Sequence, residues 1–287
     1  MKVLITGARG QVGKATIALA PAEAHVDAVG HEQLDIGDAA AVDRYLDESR
    51  PELIINAAAY TAVDRAESEP EAAARVNEQG PANLARAAAR VGSRLIHIST
   101  DFVFDGESSI PYRPQDPPNP LSVYGASKLA GEQAVRAFDT RAVILRTAWV
   151  YEAQGKNFLL TMLRLMRERG SVRVVADQIG SPTAARSIAE ALWTFAAKPE
   201  VQGIFHWTDW GVASWYDFAV AIAEEWAQIA GGAVAEVIPI GTQDYPTPAR
   251  RPRFSVLDKS ATCAALGLSP RHWRQNLRQV MGDISRA

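Results

Sequence analysis

The chain has one cysteine, Cys263, among 287 residues, so an intrachain disulfide is excluded and a reducing, cytoplasmic setting is expected. Net charge is also scarce: 30 Lys and Arg stand against 33 Asp and Glu. A polyanion-binding surface is not indicated, and nucleic acid is not an expected partner. Long apolar runs are missing. The longest candidate, residues 211–231, is interrupted by Asp217, Glu224 and Glu225, so no membrane span is expected. The apolar run of the N-terminal MKVLITGARGQVG is too short, and too broken by glycine, for a secretory signal. The five histidines, at 25, 31, 97, 206 and 272, have no metal-ligand spacing. His97 and Cys263 are expected to be structural. Neither an internal repeat nor a low-complexity linker is present. What remains is a globular composition, 47% hydrophobic, sufficient for one large domain or for a large domain with a smaller lobe.

The first half alternates short apolar runs with helical patterns. KVLIT (2–6), HVDAVG (25–30), ELIINAA (52–58), RLIHIST (94–100) and AVILRTAWVY (142–151) read as strands. Residues 38–50 and 70–91 read as helices, the second kinked or divided at Pro81. Residues 105–120, rich in Pro, Ser and Asp, form a loop. The βαβ rhythm with nearly continuous apolar strands predicts an α/β fold, a doubly wound parallel sheet of Rossmann type. After about residue 150 the rhythm changes. Residues 157–170 and 214–230 read as helices, and residues 172–177, 203–209 and 235–241 as strands. The expected division is a dinucleotide-binding domain over 1–150 and a smaller α/β substrate lobe over 151–287, with segments returning to the first core.

GARGQVG places Gly7, Gly10 and Gly13 directly after the first strand. One glycine permits the tight turn, one lets backbone N–H groups approach a pyrophosphate at a helix N-terminus, and one lets helix and strand pack closely. The triplet alone is weak; its place between a strand and a helix is the confirming context. Downstream of the second strand, VGHEQLDI has no acid straight after the strand to hold a ribose 2′-hydroxyl or repel a 2′-phosphate, so NADH and NADPH both remain open.

SVYGASKLAGE (122–132) sets Tyr124 and Lys128 one helical turn apart. On its own such a spacing is commonly a surface accident. After a glycine turn and a strand ending in Ser99, Thr100 and Asp101, it suits carbonyl reduction by hydride. Tyr124 would donate the proton, Lys128 would lower the phenol's pKa and reach the nicotinamide ribose, and Thr100 would hold the substrate oxygen. Gly125 and Ala126 would leave room beside Tyr124 for the ligands.

ITGARGQVG, NAAAYTAVDRAESEP, STDFVFDG, VYGASKLAGE, RTAWVY, NFLLTMLRL, DQIGSPT and PTPARRPRFSVLD together resemble the dTDP-4-dehydrorhamnose reductase family of extended short-chain reductases, in order over nearly the whole chain. The resemblance implies NAD(P)H-dependent reduction of the 4-keto group of a dTDP-linked sugar. It implies Tyr124, Lys128 and Thr100 as the catalytic set. Gly10, Gln11, Val12, Asp35, Ile36, Ala59, Tyr60 and Thr61 fall where the family touches its cofactor, and Thr100, Asp101 and Trp149 at its sugar-nucleotide site. Some members bind Mg²⁺ through glutamates, one just after the third glycine; Lys14 and Ala15 stand here, and the metal is not carried over. Phe102 stands where the family commonly has tyrosine. The implied partner is a sugar nucleotide, and a homodimer is compatible. Two other readings stay open: a reductase of another nucleotide-linked 4-keto sugar, and a non-catalytic, cofactor-binding subunit like the β subunit of methionine adenosyltransferase.

PARRPRF offers Arg250, Arg251 and Arg253; Arg251 is the candidate grip for a diphosphate, against a solvated basic loop. Gln178 and Thr183 are candidate hydrogen-bonders near the sugar or base, against simple turn chemistry. Asn157 is expected to cap a helix. Asn77, unfavourably mid-helix, either holds a bend or is solvated.

Overall fold

The computed structural model describes residues 1–138, 141–231 and 235–286. Its strands are β1 (Lys2–Thr6), β2 (His25–Val29), β3 (Leu53–Asn56), β4 (Arg94–Thr100), β5 (Val143–Thr147), β6 (Val150–Tyr151), β7 (Ser171–Val175), β8 (Ile179–Gly180), β9 (Thr183–Ala184), β10 (Gly203–His206), β11 (Ala213–Ser214) and β12 (Glu236–Ile240). The helices are α1 (Gln11–Ala18), α2 (Ala39–Ser49), α3 (Val63–Ala66), α4 (Pro70–Ala74), α5 (Gly80–Val91), α6 (Val123–Phe138), α7 (Phe158–Arg169), α8 (Ala185–Ala196), α9 (Trp215–Ala230), α10 (Ser260–Leu266) and α11 (Trp273–Arg286).

Six strands form the main sheet in the order β10-β5-β4-β3-β1-β2, and each neighbouring pair is parallel. The inner strands β1 and β3 are continuous apolar runs because both faces are covered, whereas the edge strand β2, HVDAV, carries Asp27 and is only partly buried. Val3, Ile5, Leu53, Ile55, Ile96, Val143 and Leu145 face α8 with Ile188, Leu192 and Phe195. The alternating residues Leu4, Ile54, Leu95 and Ile144 face Val42 and Leu46 of α2, Leu84 and Ala88 of α5 and Val135 of α6. The doubly wound parallel sheet is thus present. Its sixth strand and its covering helix α8 come from beyond residue 150, and Trp193 Nε1 of α8 donates to Thr16 O of α1 at 2.8 Å.

A separate core in the C-terminal part joins Leu159, Leu163 and Met166 of α7, Phe218 and Ile222 of α9 and Leu277 and Val280 of α11. β7 and β12 pair in parallel beside it. Asn157 caps α7 through Leu160 N at 2.9 Å, as expected, and its Nδ2 also donates to Gln11 Oε1 at 2.7 Å.

Two elements depart from the sequence-based expectation. The strand expected over 142–151 is broken: Trp149 lies in the left-handed region with φ +48°, between β5 and β6. The helix expected over 70–91 is divided before Pro81, not at it. Pro81 has no N–H for Asn77 O, and residues Arg75–Gln79 form a wider π-helical turn between α4 and α5.

Candidate active site

The chain leaves β1 for β2 on one side and returns to β3 on the other, so a crevice opens at the C-terminal ends of β1 and β3. The glycine turn sits there. Gly7 has φ +70°, and a Cβ on it would stand 2.5 Å from Ala57 C; a Cβ on Gly13 would stand 2.2 Å from Gly7 O. Both close approaches exclude any side chain. α1 starts at Gly10 without a side-chain cap, leaving the N–H groups of its first turn, Gln11 and Val12 included, free of side-chain acceptors. A pyrophosphate fits this cradle on backbone geometry alone. On its rim, Asp35 takes Gly37 N at 2.9 Å and pairs with Arg75. The Ile36 side chain is buried and packs on Gly80, in the core rather than the crevice. After β3, Ala59, Tyr60 and Thr61 pass the crevice. Asn77 holds this segment: its Oδ1 accepts from Tyr60 N at 2.8 Å, and its Nδ2 donates to Tyr60 O and Ser127 Oγ. Asn77 is fully buried, so it holds the bend and is not solvated.

α6 meets the end of β4 along one face. Ser122 Oγ accepts from Gly125 N at 3.1 Å, and Glu67 Oε1 accepts from Val123 N at 2.9 Å. These bonds start the helix at Val123 and place Tyr124 in its first turn. Three consecutive β4 residues then engage three α6 residues spaced by four. The Thr100 hydroxyl lies within hydrogen-bonding reach of the Tyr124 phenol, Ile98 O accepts from Lys128 Nζ at 2.7 Å, and Ser99 Oγ donates to Glu132 Oε1. Arg146, paired with Ser99 in the β4–β5 register, closes on Glu132 with Nη2–Oε2 at 2.6 Å and Nε–Oε1 at 2.8 Å. Gly125 does not make room for a ligand as expected: a Cβ there would lie 2.3 Å from Phe102 O, so it is α6 and the 101–103 turn that need the space.

Burial dominates the electrostatics. It pushes the Tyr124 phenol up to about 12, with Thr100 lowering it and Asp101 raising it. That is opposite in direction to the lowering expected from Lys128, whose Nζ is directed to a backbone carbonyl. Burial brings Lys128 down to about 8, and Glu132 opposes that fall. Asp101 is raised to about 6 by burial, against the nearby Ser255 and Thr100 hydroxyls, and its Oδ2 is buried without a hydrogen-bond partner.

On the C-terminal side, the Trp149 ring stacks on Trp215 at 3.5 Å with 3° between planes. Trp215 Nε1 donates to Gln178 Oε1 at 3.2 Å. Trp215, Gln178, Tyr245, Thr247 and Arg251 line a cleft of about 680 Å³. Arg251 is already engaged: Nη2 reaches Asp64 Oδ2 at 2.8 Å and Nη1 reaches Asp64 Oδ1 at 3.0 Å, joining this lobe to α3. Thr183 is fully buried and donates to Ser181 O at 3.1 Å, which is turn chemistry. Among the described residues, no group of three His, Cys, Asp or Glu could hold a metal ion.

Of the expected catalytic set, Thr100 and Tyr124 lie together and Lys128 follows Tyr124 by one helical turn; Glu132, Arg146, Ser255 and Trp215 are not singled out by the sequence. Glu132 had a usable signal, since it follows Lys128 by the same four residues that separate Lys128 from Tyr124. Arg146, Ser255 and Trp215 had none, being brought in by tertiary packing.

Compared with known proteins, residues 1–286 match the family described as RmlD substrate binding domain. The chain is 44% identical to a dTDP-4-dehydrorhamnose reductase of Burkholderia thailandensis over 295 residues, covering 99% of each. Among solved structures it is similar to the dTDP-4-dehydrorhamnose reductase of Clostridium acetobutylicum, with TM-score 0.93, 38% identity and 99% of each chain covered. It is also similar to that of Bacillus anthracis solved in complex with NADP, with TM-score 0.93, 36% identity, and 98% of this chain and 99% of that one covered.

Proposed function

This chain belongs to the RmlD family of dTDP-4-dehydrorhamnose reductases, and from that premise we propose that it reduces the 4-keto group of dTDP-4-dehydro-β-L-rhamnose with NADPH or NADH, giving dTDP-β-L-rhamnose. The observation that carries the reading is the convergence of Thr100, Tyr124 and Lys128 on one face of α6, at the open edge of a sheet whose glycine turn fits a dinucleotide. When bound, the nicotinamide supplies the hydride to the carbonyl carbon. The Thr100 hydroxyl holds the carbonyl oxygen, and the Tyr124 phenol gives it the proton. Lys128 holds the ribose and stabilises the phenolate left behind. Asp101 and Trp149 orient the sugar, and Arg251 takes the diphosphate. Gly7, Gly10, Gln11, Val12 and Gly13 form the pyrophosphate turn, Asp35 and the Ile36 backbone flank the adenine, and Ala59, Tyr60 and Thr61 pass beneath the cofactor. No helix among the described residues is long and apolar enough to cross a membrane, and the single cysteine supports a cytoplasmic setting.

The test is turnover on a panel of 4-keto sugar nucleotides, followed at the nicotinamide absorbance with each cofactor. The dTDP-linked rhamnose precursor is expected to be the best substrate. Tyr124→Phe is expected to lose roughly 10²–10⁴-fold in kcat with cofactor affinity intact. Full turnover in that variant would refute the mechanism. Tight cofactor binding without turnover on any ketone would favour the binding-subunit reading.

A further inference from the structure

We propose that Glu132 is a positioning residue for the reduction, a buried carboxylate fixed by Arg146 and Ser99 that acts on the reaction only through Lys128. For its effect on turnover the proposal rests on the reductase reading above.

The geometry is a closed clamp. Glu132 and Arg146 are each 2% exposed, and both carboxylate oxygens face the guanidinium. Ser99 adds a third bond, and Phe104 packs its ring 5.1 Å from the Arg146 guanidinium carbon. Breaking such a pair from one side is costly, and an apolar pair of similar volume would serve stability as well. Packing alone therefore does not require a carboxylate here. Glu132 sits one turn beyond Lys128 on the same helix face, and Lys128 sits one turn beyond Tyr124. The same β4 segment that anchors Lys128 through Ile98 O anchors Glu132 through Ser99, so the clamp fixes where α6 rides on the strand.

The charges around Lys128 make the second half of the case. Glu132 on α6 is the charge that acts on Lys128, and His97 on β4 feels Lys128 in turn; the titratable groups of the same elements are Tyr124 on α6, Arg146 on β5 and Asp101 after β4. Charged side chains of α3, α4, the wide turn and α5 lie at the surface. His97 is buried, and burial first, then Lys128, holds it far down and neutral. Glu132 is the group that raises Lys128 against its own burial. Without it, Lys128 loses its proton at lower pH, and with it the cation that the reductase reading assigns to the phenolate.

The chain has six lysines, which makes a direct reading practical. Lysine labelled with ¹³C at the ε carbon is titrated by NMR, with Lys128 assigned from Lys128→Met. In the parent, Lys128 is expected to titrate at about 8. In Glu132→Gln it should titrate lower by about one unit or more. Because that variant leaves Arg146 buried and unpaired, Glu132→Gln/Arg146→Met removes both charges and should show a smaller shift in the same downward direction in a sound fold. Lys259, buried elsewhere, is the internal control and should not move. The alkaline limb of the kcat/KM profile should follow Lys128 down, and Glu132→Asp should restore it toward the parent. A folded variant lacking Glu132 whose Lys128 titrates at the parental pH overturns the proposal. A parent that turns over no keto sugar would instead overturn the reductase reading, and the titration would still report on Glu132.

Discussion

Asp101 carries an electrostatic conflict within a single residue. Its carboxyl is raised from 3.8 to about 6, by burial before any other cause. A carboxyl raised on folding stabilises the fold when protonated. That contribution is complete below the unfolded value near 3.8 and is lost as pH rises through about 6. Above that window the ionised, buried group costs about 3 kcal/mol relative to a non-titrating side chain of the same shape. Asp101→Asn is therefore expected to unfold at higher temperature than the parent at about pH 8. The advantage should shrink through the window and vanish by about pH 4. Calorimetric melting at a series of pH values measures it, and a difference that does not change with pH would show that ionisation is not the cause. Oδ2 is buried without a hydrogen-bond partner, so nothing in the protein compensates its charge there.

At the scale of elements, the wide turn Arg75–Gln79 does more than accommodate Pro81. It brings Asn77 to where one side chain binds both backbone groups of Tyr60 and the Ser127 hydroxyl of α6. Asn77→Ala removes all three bonds and leaves buried groups unpaired. It is expected to cost about 2–4 kcal/mol in urea unfolding and to weaken NADPH binding, because residues 59–61 lose their anchor. A variant that loses stability with unchanged NADPH affinity would separate the segment from the cofactor. This element also shows what the sequence carries. The strands of the first half were legible as short β-rich runs, and an inner one covered on both faces reads as an unbroken apolar run, as LIIN does. The glycine turn and the Tyr124–Lys128 spacing were legible because their roles are local. The π-helical turn was not, since proline announces a break but not its geometry. Nor was the left-handed Trp149, a residue type that rarely adopts that backbone. α8, α10 and α11 are absent from the expected elements, although Ile188, Leu192 and Phe195 repeat at helical spacing. That segments beyond residue 150 return to the first core is expected from the sequence; which ones return, β10 as the sixth strand and α8 as the cover of one face, is set by tertiary packing.

At the scale of the whole molecule, Asp64 and Arg251 tie the sheet domain to the C-terminal loops at the edge of the cleft. Asp64 is held below its ordinary value, first by its bond to Arg251, so the pair is formed at neutral pH. Both side chains are partly exposed, at 23% for Arg251 and 40% for Asp64, and such a pair is worth only about 0–1 kcal/mol. A link so weak adds little to stability. The planar guanidinium is suited to two oxygens at once, whether of a carboxylate or of a diphosphate. If the substrate diphosphate takes Arg251, it must displace Asp64, and the two partners compete. The two substitutions then have opposite effects. Arg251→Met should raise KM for the sugar nucleotide about 10-fold or more, because a charge-assisted bidentate contact contributes more than about 1.4 kcal/mol. Asp64→Asn should leave Arg251 free and lower KM, with kcat nearly unchanged in both. Melting temperatures of the two variants should stay close to the parent's. A purely structural pair predicts instead that both substitutions act alike, shifting stability together and leaving KM alone. Steady-state kinetics on the two single variants and the double variant distinguish these outcomes, since only competition makes the effect of Asp64→Asn disappear once Arg251 is gone.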